Sequence, residues 1–328
     1  MRSTLFRFSR FAFPLALALP AGWLALDRPD AAAAVVRERA TPSATSLQLG
    51  GTAVGVLRSA SGGTAVASVV TDAVGPGAPA KKHISGVSYE NIQLELDLSL
   101  ERPVYDWIGA AWAGNAQRKS GTLVSLDLNG NAKGAREFKD ALITEVGFPA
   151  FDAASREPGF IALVLAPERV TSVAASAGKG ALGARSKNWI SSNFKLDIDG
   201  LDASRVIRIE PITFKQPVAG ESIGQQRENT RAPAAIQIEN LRITLSETGS
   251  DSWRAWHEDF VIKGNSAEKN ERSGHLSILG QNMKEELARI DFSNLGIVAL
   301  RPKAAANGVG QLEAELYVER IGLSVGGK

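Results

Sequence analysis

Alternating apolar and polar positions dominate the chain and predict a mainly β protein. Apolar residues stand at every second position over 92–100, the period of a strand with one buried face. The segment 123–128 runs into Asn129-Gly130, the strongest short hairpin signal, and 135–146 supplies the return strand. The run FIALVLA at 160–166 is nearly all apolar, which predicts a strand buried on both faces.

Two short segments carry helical spacing instead. The first begins near Pro103, a residue suited to the first turn of a helix. The second covers about 250–262, with Asp251 as its predicted cap. The apolar face of the first helix comprises Val104, Trp107, Ile108, Ala111 and Trp112, and that of the second comprises Trp253, Trp256, Phe260 and Val261.

The chain contains an internal duplication. The segment ENIQLEL at 90–96 returns as ENLRITL at 239–245, 149 positions later (239 − 90), and Trp256 follows Trp107 by the same interval. Two more matches keep the order at nearly the same interval: Lys119-Ser120-Gly121 with Arg272-Ser273-Gly274, and Glu168-Arg169 with Glu319-Arg320. An ordered set of this kind predicts two copies of one β domain, each a small barrel or sandwich with one packed helix.

Composition places the boundaries of the two domains. Residues 174–188 are small, glycine-rich and basic, which is typical of a linker. The predicted organisation is a signal peptide at 1–34, a linker at 35–45, domain 1 at 46–173, a linker at 174–192 and domain 2 at 193–328. Loose stretches at 74–82 and 218–233 are predicted to be unstructured arms that reach a neighbouring molecule.

The N-terminal segment has the features of an export signal. Arg2, Arg7 and Arg10 precede an apolar run at 11–26, and small residues at 31–34 offer a cleavage site. The run is shorter than the roughly 20 residues that span a bilayer as a helix. We therefore expect an exported protein, periplasmic or extracellular, without a membrane span after cleavage. A retained membrane anchor, a mis-set start codon and a particle-bound protein are the alternatives.

Composition removes several function classes. Lys and Arg number 37 and Asp and Glu 35, a net charge of +2 that offers no strong field to nucleic acid. The absence of cysteine excludes disulfides, thiolate catalysis and cysteine-ligated zinc. His83, His257 and His275 are the only histidines, and they are far apart in sequence.

Motifs with chemical potential are each better explained by structure. The GxGxxG match at 178–183 lies in the predicted linker, without the strand and helix that a dinucleotide site needs. Residues 127–131 begin like a calcium loop, but Ala132 and Phe138 replace the required Gly and Glu. The second His of HExxH is replaced by Val261, and no GxSxG elbow occurs. We predict no catalytic residue, no cofactor and no metal site.

Four tryptophans are the candidate assembly or packing positions: Trp107, Trp112, Trp253 and Trp256. Helical spacing on an apolar face favours a core role for them. Any that reach the surface would suit a subunit contact or, alternatively, a sugar-binding platform.

The segment 82–170 resembles the tail-tube proteins of contractile phages and related injection machines. The resemblance rests on KSGTLV at 119–124, Asn129-Gly130 and YDW at 105–107, and in the second copy on FKLDIDGL at 194–201 and AWHEDFVIKGN at 255–265. It implies a β-barrel that associates edge to edge into a ring, with rings stacking into a tube. Family rings are typically sixfold, so three doubled chains would build one with pseudo-sixfold symmetry.

The sequence thus predicts a non-enzymatic structural protein whose partner is itself, in a ring or tube, together with other tail-like proteins. Unpaired strand edges supply the physical reason, because pairing between neighbours satisfies their backbone groups. The alternative is a secreted monomeric binding module for glycan or a surface protein.

Overall fold

The computed structural model describes residues 44–72, 77, 79–174, 189–222, 229–306 and 308–326. The predicted signal peptide at 1–34, the GxGxxG match at 178–183 and most of both predicted linkers lie outside these residues. The described residues belong to one compact unit, Ala40–Lys328.

The first repeat contains eleven described strands and one helix. In chain order these are β1 (Ala44–Leu49), β2 (Thr52–Leu57), β3 (Ser59–Gly62), β4 (Ala65–Asp72), β5 (Lys81–Tyr89), β6 (Ile92–Leu96), α1 (Arg102–Trp112), β7 (Lys119–Leu126), β8 (Ala132–Phe148), β9 (Phe151–Asp152), β10 (Ile161–Ala166) and β11 (Arg169–Val173).

The second repeat follows the same plan. Its elements are β12 (Phe194–Ile198), β13 (Val206–Ile209), β14 (Ile212–Lys215), β15 (Val218–Ser222), β16 (Asn229–Pro233), β17 (Gln237–Ile238), β18 (Leu241–Ser246), α2 (Asp251–His257), β19 (Arg272–Leu279), β20 (Glu286–Ala306) and β21 (Val309–Val325). A π-helical turn, Glu258–Ile262, extends α2, and a 3-10 turn, Glu268–Asn270, precedes β19.

The predicted fold class, mainly β with one helix in each repeat, is confirmed. The first sheet has the order β2-β1-β7-β8-β10-β6-β3, and the second has the order β12-β19-β20-β21-β18-β13-β9. The named pairings in both sheets are antiparallel. Strands β10 and β11 together take the place in the first repeat that the single strand β21 takes in the second.

The duplication extends to the residue register of the strands. Ile92 lies opposite Leu165, and Leu241, 149 positions after Ile92, lies opposite Leu316. Gly121 lies opposite Leu49, and Gly274 lies opposite Ile198. Because a one-residue slip would turn every side chain to the other face, this agreement means that both repeats bury the same faces of the same strands.

Both repeats also bend their longest strand in the same way. The pairing of β7 with β8 shifts register between Lys119 and Gly121, and that of β19 with β20 shifts between Arg272 and Gly274. Asp140 (φ 49°) and Asn294 (φ 57°) adopt the left-handed conformation at these bulges. The bulge changes the partners of the long strand. In the first repeat, β8 pairs with β7 and β11 before the bulge and with β10 after it.

Gly121 and Gly274 occupy the same close contact in the two sheets. A Cβ on Gly121 would overlap the carbonyl oxygen of Gln48 and the ring of Phe138, and one on Gly274 would overlap the carbonyl oxygen of Asp197. The glycine of the Ser-Gly pair that the two repeats share in sequence is therefore required by backbone packing.

Strand and turn boundaries differ from the sequence prediction in several places. The alternating run at 92–100 is a strand only as far as Leu96, although Leu98 and Leu100 are also buried. In β10 the side chains of Ala162 and Val164 are half-buried, so only one face of this strand is fully covered. The predicted return strand at 135–146 is longer in the structure, where β8 covers Ala132–Phe148.

The arm predicted at 218–233 is a β-hairpin in its described part, whereas the arm predicted at 74–82 contributes only Lys81 and Lys82 to a strand, at the start of β5. Strand β4 pairs with β5 across the first arm, and β15 pairs with β16 across the second. Thr71 lies opposite Lys82, and Gly220 lies opposite Arg231, both 149 positions later. The short polar sequences of β15 and β16 gave no strand signal, because these strands are stabilised by pairing with each other.

We expect Gly121→Ala to lower the free energy of unfolding by about 1–3 kcal/mol, because the added methyl group overlaps backbone and Phe138 atoms. Urea denaturation followed by circular dichroism measures the change. Gly134→Ala is the matched control, because no atom lies within 4 Å of a Cβ at this position in the same sheet. Equal stability of the two variants would contradict the close-contact argument.

Candidate assembly interface

The two repeats are joined by exchanged strands. Strand β14 of the second repeat pairs with the end of β8 in the first, with Phe214 opposite Val146 and Lys215 opposite Glu145. In return, the short strand β9 of the first repeat pairs with β13 of the second. The junction inside this chain is therefore an instance of strand addition, in which backbone hydrogen bonds join two sheets.

Aromatic side chains cover this junction. The ring of Trp112, at the end of α1, lies 6.3 Å from the ring of Phe148 and 6.1 Å from that of Phe214. All three are buried, and Trp112 retains 6% of its surface exposed. Helix α1 also packs against β21 of the second repeat. The contact therefore combines main-chain pairing with an apolar seal, which is typical of the centre of a stable interface.

The hairpin β15–β16 lies against the first repeat. The backbone N–H of Arg231 donates to Glu168 Oε1 at 3.0 Å, and its guanidinium donates to the carbonyl oxygen of Tyr89 at 2.8 Å. Arg118 pairs with the same carboxylate oxygen of Glu168 at 3.4 Å. The predicted arm at 218–233 thus contacts a neighbouring repeat, but that neighbour belongs to its own chain.

A second set of polar contacts stabilises the pairing of β9 with β13. Arg208 Nη1 donates to Asp152 Oδ2 at 2.7 Å, and Arg208 Nε donates to Glu210 at 2.9 Å. The backbone N–H of Ala154, and after it Arg208, hold the pKa of Asp152 below its usual value. These partly buried charge-assisted bonds fix the register of a strand of only two residues.

The four predicted tryptophans are all buried. Trp107 Nε1 donates to the carbonyl oxygen of Gln117, and Trp253 Nε1 to that of Asp202, each at 2.8 Å. Lys119 Nζ lies 5.8 Å from the Trp107 ring centroid, and Arg272 Cζ lies 4.8 Å from that of Trp256. The cation–π contact is thus duplicated with the fold.

Of these tryptophans, Trp112 has a tilted ring contact with an aromatic residue of the other repeat, Phe214. Phe148 and Phe214 are the other aromatic residues of that contact, and no sequence pattern singled them out. The repeat interval of 149 positions aligns Phe214 with Ala65, which is not aromatic. Because their rings are buried, the four tryptophans do not form the exposed platform that sugar stacking requires.

The outer ends of the two repeats leave strand edges open. Every residue of β4 is exposed, and among the described strands β4 pairs only with β5. In the described part of the chain, β20 beyond Leu295 pairs with β21 on one edge and with no strand on the other. Large apolar side chains lie along both edges, with Val66 44% and Val298 43% exposed. Exposed apolar edges of this kind are sites of pairing with another chain.

The residues considered for chemistry occupy ordinary structural positions. Asp127 Oδ1 accepts the backbone N–H groups of Asn129 and Asn131, and chiefly the bond from Asn131 lowers its pKa to about 2. The hairpin turn thus uses the carboxylate that resembled a calcium ligand. His83 pairs with Asp72 at 3.2 Å on the exposed hairpin β4–β5. His275 lies opposite Asp197 in the register of β12 and β19.

The described residues contain neither a candidate metal site nor a candidate membrane-spanning helix. No group of three or more histidine and acidic side chains there is arranged to hold a metal ion. Within the same residues, no helix has both the length and the apolar character needed to cross a membrane.

No family model matches the sequence, and no curated protein matches it. Solved components of contractile injection systems share similarity with part of the chain. One, from the sheath–tube complex of the extracellular contractile injection system PVC in its extended state, is 20% identical, with a TM-score of 0.38, over 43% of this chain and 95% of that chain.

The tube-terminating cap of the anti-feeding prophage AFP is 24% identical, with a TM-score of 0.35, over 40% of this chain and 88% of its own. The sheath/tube terminator of PVC is 19% identical, with a TM-score of 0.37, over 42% of this chain and 99% of its own.

Removal of the ring that seals the junction should destabilise the whole chain. We expect Trp112→Ala to cost about 3–5 kcal/mol of unfolding free energy, since the cavity opens between Phe148 and Phe214. Leu128→Ala, in the turn after β7 where the side chain is 90% exposed, is the control and should change stability by less than about 1 kcal/mol. Chemical denaturation of dilute protein measures both, and equal losses would contradict the sealing role.

Proposed function

We propose that this protein is a structural subunit that assembles with copies of itself into a ring, and through rings into a tube. The observation that supports the proposal is a difference between β8 and β20, the equivalent long strands of the two repeats. Strand β8 is extended by a strand of the neighbouring repeat, whereas the corresponding edge of β20 has no partner among the described strands.

Unpaired edges favour association on physical grounds. A strand edge presents a row of N–H and C=O groups, and isolated apolar side chains beside it add a hydrophobic contribution when a partner covers them. Monomeric β proteins protect such edges with charges, prolines or covering loops. Here β4 instead carries exposed Val66, Val69 and Val70. These exposed valines support the proposal that a partner covers this edge.

A repeat joined head to tail generates a closed or helical assembly. One repeat contributes β8 and the other contributes β14, so the contact is heterologous, with different surfaces on the two sides. Repetition of a heterologous contact produces a ring if the rotation closes and a filament if it does not. A ring of three chains would contain six repeats.

The purified chain is expected to form regular rings or tubes that grow with concentration, because each open edge finds its complement on another copy. Negative-stain electron microscopy shows the particles, and light scattering gives their mass. Rings of three chains would have three times the monomer mass. A monodisperse monomer at high concentration would contradict the proposal, as would an irregular aggregate without a repeating particle.

A further inference from the structure

The pairing of β14 with β8 inside the chain is the model for a contact between two copies of the chain. We propose that β4 of one copy adds to the open edge of β20 in the next copy, with Ala65 opposite Leu300 and Val66 opposite Ala299. This inference rests on the proposed function, since it requires that copies associate, and it adds the partner strands and their register.

The residues that β4 contributes to the proposed pairing are assigned from the equivalence of β4 and β14. Phe214 lies opposite Ile238, and Ala65 lies opposite Tyr89. Both members of the second pair precede those of the first by 149 positions, and in each repeat a Glu-Asn pair follows directly, at 90–91 and 239–240. Ala65 therefore occupies the position of Phe214, the residue that pairs with β8 inside the chain.

The receiving side comes from an equivalence between β8 and β20. Ile143 and Glu145 flank a bulge at Thr144 in the pairing with β10, and Ile297 and Ala299 flank one at Val298 in the pairing with β21. These positions differ by 154 (298 − 144). The same interval relates Val146 to Leu300, so the internal pair Phe214–Val146 corresponds to a pair Ala65–Leu300 between copies.

Exposure of apolar side chains agrees with this placement. Val146 and Phe214 are buried in the internal junction, whereas the hairpin β4–β5 exposes Val66, Val69, Val70 and Ile84. Near the open edge of β20 lie Val298, together with Val261 and Ile262 at the end of the second helical segment, 40% and 64% exposed. That segment is the counterpart of the end of α1, where Trp112 covers the internal junction.

Charge is complementary across the proposed contact. Inside the chain the backbone N–H of Arg231 donates to Glu168 while its guanidinium donates to the carbonyl oxygen of Tyr89, and Lys82 occupies the position of Arg231 in the first hairpin. Glu319 is the counterpart of Glu168 by the repeated Glu-Arg pair, and both Lys82 and Glu319 are exposed. The contact places a basic hairpin on an acidic site, which favours the head-to-tail orientation over a face-to-face one.

The open edge of β3 supports the same geometry. Strand β13 of the second repeat receives β9 from the first, and β3 is its counterpart, since Ala60 lies opposite Leu94 and Ile209 lies opposite Ile243. In the first sheet β3 stands at the end of the strand order. The head-to-tail contact therefore brings a second unpaired edge to the same neighbour.

Cysteine cross-linking tests the register directly, because the sequence contains no cysteine. Full-length Ala65→Cys and full-length Leu300→Cys are mixed and oxidised, so that every disulfide joins two chains. Residues directly opposite in an antiparallel pair have Cα atoms about 4.5–5.5 Å apart, within disulfide range. We expect a mixed disulfide between the two variants as the main product, identified by mass spectrometry of the linked peptides.

The control mixture is Val66→Cys with Leu300→Cys, in which the two side chains point to opposite faces of the sheet and the disulfide yield should fall several-fold. Regular particles without the Ala65–Leu300 link would overturn the register and leave the proposed function intact. Absence of particles in the wild-type chain would overturn both. A dominant Ala65–Ala65 link would overturn the head-to-tail orientation.

Charge reversal tests the orientation by a second route. Lys82→Glu should reduce particle formation severalfold by placing like charges together, and the double variant Lys82→Glu, Glu319→Lys should restore it. Light scattering reports assembly, and circular dichroism confirms that each variant is folded. Lys195→Glu, an exposed lysine outside the proposed contact, should assemble as the wild type does. Failure of the double variant to recover assembly would contradict the pairing of these two residues.

Discussion

Satisfaction of backbone hydrogen bonds at strand edges is the constraint on which the arrangement depends. Each repeat has a long, bent strand whose second half needs a partner on both edges, and one repeat supplies only one of them. In the first repeat the missing partner is β14 of the second repeat. The same physical demand exists at β20, where the described residues provide no strand to meet it. The internal junction therefore gives the second half of β8 partners on both edges, whereas the second half of β20 has one described partner.

Some structural features are present in both repeats, whereas others are specific to the internal junction. The bulge with a left-handed Asp140 or Asn294, the close-packed Gly121 or Gly274 and the cation–π contact are present in both repeats. These features shape the sheet and cannot change without strain. By contrast, Phe214 of the internal junction corresponds to Ala65 of the first hairpin. A permanent junction tolerates large aromatic side chains, whereas a surface that remains exposed before assembly favours smaller ones.

Burial of the tryptophans also limits what the protein can recognise. All four lie in the core, and Trp107 and Trp253 each donate to a backbone carbonyl. The exposed apolar residues discussed above are aliphatic, on the hairpin β4–β5 and on one side of the second repeat. Aliphatic edge strands bind other strands through the backbone, whereas glycan binding uses aromatic faces. The chemistry of the described surface therefore favours a protein partner.

Period-two alternation, the Asn-Gly turn, two tryptophan-bearing helices and the order of matching segments determined from sequence alone that this is a duplicated, mainly β protein. These signals are local, and a buried face or a tight turn imposes them wherever the segment lies. Sequence did not show that β14 leaves its own repeat, that Trp112 meets Phe148 and Phe214, or that the polar arm at 218–233 forms a hairpin. Those contacts depend on which edges meet after the sheets have formed, and a strand edge exposes the same backbone groups whatever its side chains. Only the tertiary structure decides which edges are satisfied within the chain and which remain open.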